Sequence, residues 1–446
     1  MENKKDGFGS KLGFVLAAAG SAVGLGNIWR FPYLAAKYGG GIFLLVYAIL
    51  AVTFGFSLMV TEIAIGRRTG KSVIGAYSDI CKKFKPLCFV AAAVPVMIFS
   101  YYCVIGGWVL KYFTVYIENI GMEAANDNFF SDFIASPFQP TIFLIIFLLL
   151  TAIVVMLGVE KGIEKVSKLL MPVLVVITVG ISIYCITIDG AMAGVKYYLM
   201  PEFENFSIKT VVAAMGQLFY SMSIAMGIMV TFGSYMRKED NIEEAVRYVE
   251  IFDTAIAFLS GLMIIPAVFA FSGGDASALG QGPGLMFVTL PKVFLSMKAG
   301  RFLGLVFFIL VALAALTSAI SLMETIVSVI MEKWKMKRMK ACIITTLFSF
   351  ALGMLSVLGY STFSEVKIFG KQFLDFLDFF SNNLVMPIVA LFTCILIGYI
   401  AKPSYVEDEV MLSSQFRSRK LYSVMIKFVC PVCMLIILVS SAVGYV

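Results

Sequence analysis

The sequence predicts an all-α integral membrane protein of eleven transmembrane helices. Of the 446 residues, 60% belong to the set AVILMFWYC and only 14% are charged, whereas a soluble domain averages about 45–50% apolar and about 25% charged. Mean hydropathy is +0.93. Apolar runs of about 20 residues, the length a helix needs to cross a bilayer, recur from one end of the chain to the other. These runs lie near 11–37, 42–66, 88–116, 140–158, 166–187, 210–234, 247–271, 300–331, 339–359, 373–400 and 421–445, and are numbered here as spans 1 to 11. No independent soluble domain fits between them, so residues 1–446 read as one transmembrane domain.

Loop charge gives the orientation. Loops on the N-terminal side hold 24 Lys and Arg against eight on the opposite side, which places the N-terminus in the cytoplasm by the positive-inside rule. An odd number of spans then leaves Val446 outside, in a cell or inner membrane. The loop 118–139, with Glu118, Glu123, Asp127 and Asp132 and no Lys or Arg, suits an outer position. The charged N-terminus runs directly into a long apolar stretch, which is not the pattern of a cleaved signal peptide.

Several function classes drop out. The net charge of +7 is spread over short loops, so no basic domain exists to hold nucleic acid. Histidine is absent, which removes the commonest metal ligand and general base. The cysteines, including the pair Cys430 and Cys433, lie in or beside apolar runs and read as packing residues. Ser221 and Asp253 could be drawn as nucleophile and acid, but a hydrolytic site would lack its usual base.

Span 1 carries Gly20-Ser21-Ala22-Val23-Gly24-Leu25-Gly26-Asn27, three glycines in seven residues. Glycine costs about 1 kcal/mol per helical position relative to alanine, so this stretch leaves the helix more easily than its neighbours. Span 6 is interrupted in a similar way at Ser221-Met222-Ser223-Ile224-Ala225-Met226-Gly227. Taken alone, each stretch fits small-residue helix packing. As a pair at the start of two five-span halves (about 11–187 and 210–400, with 421–445 additional), they point to a transporter's midplane site. Unwound backbone survives at membrane depth only where protein buries it or it lines a cavity. Freed carbonyls suit a cation there, and helix N-termini suit a carboxylate.

The run Ser21-Ala-Val-Gly-Leu-Gly-Asn-Ile-Trp-Arg-Phe-Pro-Tyr33 resembles the first-helix signature of the neurotransmitter:sodium symporter family, in particular its bacterial amino-acid transporters. The resemblance extends from about Lys5 to the C-terminus. It implies the LeuT fold, with a 5+5 inverted repeat and unwound helices 1 and 6. It also implies two sodium sites and no organic cofactor. Site 1 would use Ala22, Asn27, Ser221, Asp253 and the substrate carboxylate. Site 2 would use Gly20, Val23 and Ala314 with the hydroxyls of Thr317 and Ser318, oxygen ligands that suit a hard cation.

The amino-acid pocket implied by the resemblance, which also includes Ser221, holds the substrate carboxylate at Tyr102 and the amides near Leu25 and Gly26, and the ammonium at carbonyls of span 6 and the Ser223 region. Gly24 stands where amine-transporting relatives place an aspartate, so an amino acid is expected. The side-chain subsite, Ser21, Ile98, Tyr220, Ala225, Met226, Ser318 and Leu322 beside Ala22, has no charge, which favours a neutral hydrophobic or aromatic substrate. Arg30 and Asp378 match the extracellular gate pair. Lys5 and Phe8, with Tyr235 and Glu332, match the intracellular gate, although lysine lacks the bidentate fork of arginine. Asp253 stands where relatives carry the sodium-ligating asparagine, near Tyr47, Gln217 and Ser221, the region of the family's chloride site. Its fixed charge would substitute for chloride, with proton return on the same residue as a further hypothesis.

A charge at membrane depth costs several kcal/mol, which also marks Arg30, Glu62, Glu324 and Asp375 as functional candidates. The expected function is sodium-coupled, chloride-independent import by alternating access. A sodium-independent or proton-coupled carrier of similar fold is the alternative, and a channel fits paired gates less well. Expected partners are a neutral amino acid, sodium ions and the lipid bilayer, with a homodimer as the candidate assembly and no nucleic acid.

Overall fold

The computed structural model describes residues 7–118, 121, 123–274 and 282–442. Among these, nine helices are long and apolar enough to span a bilayer: Gly41–Thr69, Lys82–Ile117, Phe138–Met156, Val159–Ile186, Ile242–Ser272, Gly300–Trp334, Arg338–Tyr360, Phe373–Ile400 and Arg419–Ala442. They are spans 2, 3, 4, 5, 7, 8, 9, 10 and 11. The other two spans are broken. Span 1 consists of Lys11–Ala22 and Gly26–Lys37, which meet at 53°, and span 6 of Ile208–Ser221 and Ile228–Tyr235.

Several helices run past their apolar cores. Span 7 starts at Ile242, five residues before the predicted limit, with Glu243 and Glu244 in its first turn, where carboxylates favour the helix N-terminus. Polar caps begin the helices that carry the site. Ser10 accepts from the amide of Gly13, Ser207 from that of Thr210 and Asn241 from that of Glu244, each occupying one of the amides that a helix start leaves unpaired.

The break in span 6 is strongly contorted. Ser223 (φ 54°), Ala225 (φ 61°) and Gly227 (φ 73°) alternate with ordinary residues in the left-handed region, which costs a residue with a Cβ about 1–2 kcal/mol. Buried partners offset this cost: the amide of Ala225 donates to Glu62 Oε1 at 2.7 Å, and the Ser223 hydroxyl donates to the carbonyl of Ser21 at 3.0 Å. Spans 3 and 8 pack along each other, as do span 2 and the second half of span 6. The two breaks thus face each other in the middle of the bundle.

Candidate functional site

Between the breaks lies a cavity of about 30 Å³, on the order of one water molecule, lined by Ser21, Ala22, Gly24, Leu25, Gly26, Asn27, Ile98, Tyr102, Tyr220, Ser221, Ser223, Met226, Ile228, Ser318 and Leu322. All but two of these, Asn27 and Ile228, are residues predicted for the substrate pocket. Ala225 belongs to the predicted subsite but not to this wall: its amide is turned to Glu62 on span 2.

Gly24 is required by space. A Cβ there would lie 2.7 Å from Ser318 Oγ and 3.1 Å from the Tyr102 hydroxyl, both closer than ordinary contact. The same tyrosine accepts from the amide of Leu25 at 3.4 Å. Gly26 leaves room for the Tyr220 ring, which a Cβ would meet at 2.8 Å. One end of the cavity therefore presents freed amides and a phenol, a set that suits a carboxylate, while the walls from Ile98, Met226 and Leu322 are apolar.

Of the residues predicted for sodium site 1, Asn27 and Ser221 converge on Asp253, which is fully buried, while Ala22 lines the cavity. Asn27 Nδ2 donates to Asp253 Oδ1 at 2.7 Å, Ser221 Oγ to the same oxygen at 2.7 Å, and the Tyr47 hydroxyl to Oδ2 at 3.2 Å. Asn27 Oδ1 accepts from the Gly24 amide at 3.1 Å. Gln217 turns its Nε2 to the carbonyl of Gly26 at 3.0 Å. The donors named for a chloride are thus engaged with carboxylate or carbonyl oxygens, two of the three with Asp253.

The residues predicted for site 2 also meet. Ser318 Oγ lies 3.3, 3.1 and 3.4 Å from the carbonyls of Gly20, Ser21 and Val23. Thr317 Oγ1 donates to the carbonyl of Ala314 at 3.1 Å. Ser318 thus meets the carbonyls of span 1, Thr317 packs against Gly20, and the Thr317–Ala314 bond stays within span 8. Carbonyl and hydroxyl oxygens are donors suited to a hard monovalent ion.

The two gate regions differ. On the face opposite the N-terminus, a vestibule of about 760 Å³ stands over the cavity, with Arg30, Tyr102, Tyr220 and Asp378 in its wall. Arg30 lies over the Tyr220 ring at 5.4 Å, and Asp378 accepts from Asn382 at 2.7 Å. Among the described residues no ion pair joins Arg30 to Asp378, so this pair stands apart. At the N-terminal face Phe8 is buried against Phe14, Phe232 and Tyr235. Lys5 lies outside the described residues.

Tyr235 turns to Glu324, donating at 2.7 Å, and Arg338 donates to both Glu324 oxygens at 2.5 and 3.0 Å. Glu332, the predicted counterpart, accepts from the Ser72 amide at 2.5 Å. Sequence reasoning missed Arg338 because it sits in the basic run 333–340, which reads as loop charge. It also missed Asn382 and Tyr101, which meet at 3.1 Å, because neither carries a charge that would mark it at membrane depth.

A family model described as the sodium:neurotransmitter symporter family matches residues 5–135 and 130–446. A sodium-dependent transporter of Haemophilus influenzae is 33% identical over 97% of this chain and 97% of its own length. The sodium-dependent transporter YhdH of Bacillus subtilis is 34% identical over 98% of both chains. The crystal structure of MhsT in complex with L-phenylalanine superposes with a TM-score of 0.88 at 36% identity, covering 98% of this chain and 100% of that one.

Proposed function

The chain belongs to the sodium:neurotransmitter symporter family and is a sodium-dependent, multi-pass membrane transporter, and from that premise we propose that it imports a neutral, hydrophobic or aromatic amino acid with sodium and without chloride. The sodium-independent alternative drops out with the family assignment. The observation that carries the substrate reading is the cavity between the breaks, which pairs freed amides and the Tyr102 hydroxyl at one end with uncharged walls. The phenylalanine complex of MhsT, a protein of the same fold, supports this class.

In this reading Ala22, Asn27, Ser221 and Asp253 hold one sodium together with the substrate carboxylate, and Gly20, Val23, Ala314, Thr317 and Ser318 hold a second. The ion and its cargo then stabilise each other, which couples uptake to the sodium gradient. Chloride is unnecessary because Asp253 supplies the fixed negative charge and engages the Tyr47 and Ser221 donors. Spans 1 to 5 and 6 to 10 form two repeats, and the face that carries the N-terminus is cytoplasmic, in keeping with the loop charges. Arg30 and Asp378 close above bound substrate. Phe8, Tyr235, Glu324 and Arg338 part when the pocket opens inward.

Uptake of a labelled neutral amino-acid panel into proteoliposomes tests the proposal, with inward sodium compared with potassium or choline and chloride compared with gluconate. Accumulation of apolar or aromatic amino acids that needs sodium but proceeds in gluconate is the expected result. A requirement for chloride overturns the role given to Asp253, and accumulation restricted to charged or non-amino-acid substrates overturns the substrate class.

A further inference from the structure

Glu62 is an intramembrane charge that the sodium and substrate reading leaves unused. It lies on span 2, seven residues before Thr69 at the N-terminal face, about 10 Å along the helix. Its side chain is buried. Oε1 accepts from the Ala225 amide at 2.7 Å, and Oε2 is buried without a hydrogen-bond partner.

Among the described residues no Lys or Arg is paired with Glu62. Arg67, on its own helix, is paired with Glu409. On span 7, which also packs against span 2, Arg247 lies over the Phe56 ring, while Asp253 is held by Asn27, Ser221 and Tyr47. The second half of span 6, Ile228–Tyr235, packs along this part of span 2 and carries one titratable side chain, Tyr235, which is turned to Glu324. Helix Val73–Ile80 presents the Tyr77 phenol, which interacts electrostatically with Glu62 and is itself bonded to Thr393 at 2.9 Å. On span 8, Glu324 is paired with Arg338. A bare carboxylate with one amide donor and no cation at this depth costs several kcal/mol, whereas a carboxylic acid can occupy the site as a neutral group.

We propose that Glu62 is a proton-binding site: it carries a proton while its carboxyl is closed against the break of span 6, and it gives that proton to cytoplasmic water when the second half of span 6 swings away. The step breaks one carboxyl O–H bond and passes the proton to water or buffer, leaving a hydrated carboxylate. No redox partner is involved. Rebinding of a proton from the cytoplasm restores the neutral contact with Ala225, so internal pH sets how readily the inner path opens. The transport consequence rests on the alternating-access reading above, while the protonation itself does not.

Glu62→Gln retains an acceptor for the Ala225 amide and cannot ionise. In right-side-out vesicles, sodium-driven uptake by the wild type is expected to quicken as internal pH is raised from about 6 to about 8, across the range in which a buried carboxyl can titrate. Glu62→Gln is expected to lose that acceleration, and a variant that keeps it overturns the proposal. Infrared spectroscopy of the purified protein decides independently of transport: the wild-type minus Glu62→Gln spectrum at neutral pH should contain the carbonyl stretch of a neutral carboxyl, shifted in D2O. Its absence overturns the proposal even if no vesicle accumulates substrate, and that second outcome alone would sink the transport reading instead. Should the Gln variant not fold, Glu62→Asp serves the same spectrum: the carbonyl band should move, and an unmoved band overturns the assignment.

Discussion

Asp253 has more roles than any other single residue in the site. A buried carboxylate is tolerated only when charge-assisted bonds or a cation repay its dehydration, and Asn27, Ser221 and Tyr47 supply three such bonds. Each donor is therefore poised by Asp253 and is also a group that an anion would seek. Replacing Asp253 with Ser removes the fixed charge and frees Tyr47 Oη and Ser221 Oγ. Uptake by Asp253→Ser is expected to fail in gluconate and to recover with chloride, measured as initial rate against external chloride, and an unchanged chloride response would refute the substitution of one anion by the other. Gly24 answers to space instead of charge. Gly24→Ala sets a methyl group 2.7 Å from Ser318 Oγ, so the wall must shift where the substrate binds. Such overpacking typically costs about 1–3 kcal/mol. The expectation is a roughly tenfold or greater loss of substrate affinity, at about 1.4 kcal/mol per tenfold, with sodium-dependent uptake as the readout.

At the scale of elements, the breaks were legible in sequence to unequal degrees. Three closely spaced glycines announce the bend in span 1, and the small residues after Ser221 announce that span 6 is interrupted. What sequence could not give is that Ser223 and Ala225, both with a Cβ, adopt left-handed backbone, because that conformation is imposed by partners distant in the chain, Glu62 and the Ser21 carbonyl. The same limit explains Ala225, expected in the pocket wall and found turned to span 2: one peptide rotation, invisible to residue type, decides which side faces the cavity. Helix ends were misjudged for a simpler reason, since charged first-turn residues extend a helix beyond its apolar run. This strain gives a prediction. Alanine to glycine within an ordinary helix costs about 0.5–1 kcal/mol, but at Ala225 the left-handed φ reverses the preference. Ala225→Gly is expected to melt no lower than wild type, while Ala319→Gly, inside span 8, melts lower. Thermal unfolding of both variants in detergent checks the contrast.

For the whole molecule, the question is which pieces move as one. Helix Ser404–Met411 follows span 10 in the chain but is tied elsewhere. Glu409 accepts from Arg67 Nε of span 2 at 2.8 Å and from Lys238 at 2.8 Å, and Arg67 Nη1 donates to the carbonyl of Asp240 at 2.6 Å. Arg68 lies 4.1 Å over the Tyr405 ring. Glu243 at the start of span 7 accepts from the amides of Arg417 and Ser418. This short helix and the start of span 11 are thus fastened to spans 2 and 7, so any displacement of spans 2 and 7 during the proposed alternating access has to carry them along and flex the connection after Ile400. The fastening is buried, with the Arg67 side chain wholly and Glu409 almost wholly shielded. Removing one partner of such a pair typically costs about 3–5 kcal/mol because the other is left uncompensated. Lys238 still reaches Glu409, so Arg67→Ala is expected near the lower end of that range, seen as a marked fall in melting temperature in detergent. The lesion should differ in kind from that of Asp253→Ser. Arg67 touches neither the cavity nor the residues assigned to sodium, so the surviving folded fraction of Arg67→Ala should retain the wild-type dependence on sodium and its indifference to chloride. A changed ion requirement in that variant would mean that the fastening at the N-terminal face and the ion sites act as one coupled unit, and not as a hinge carried by the moving spans.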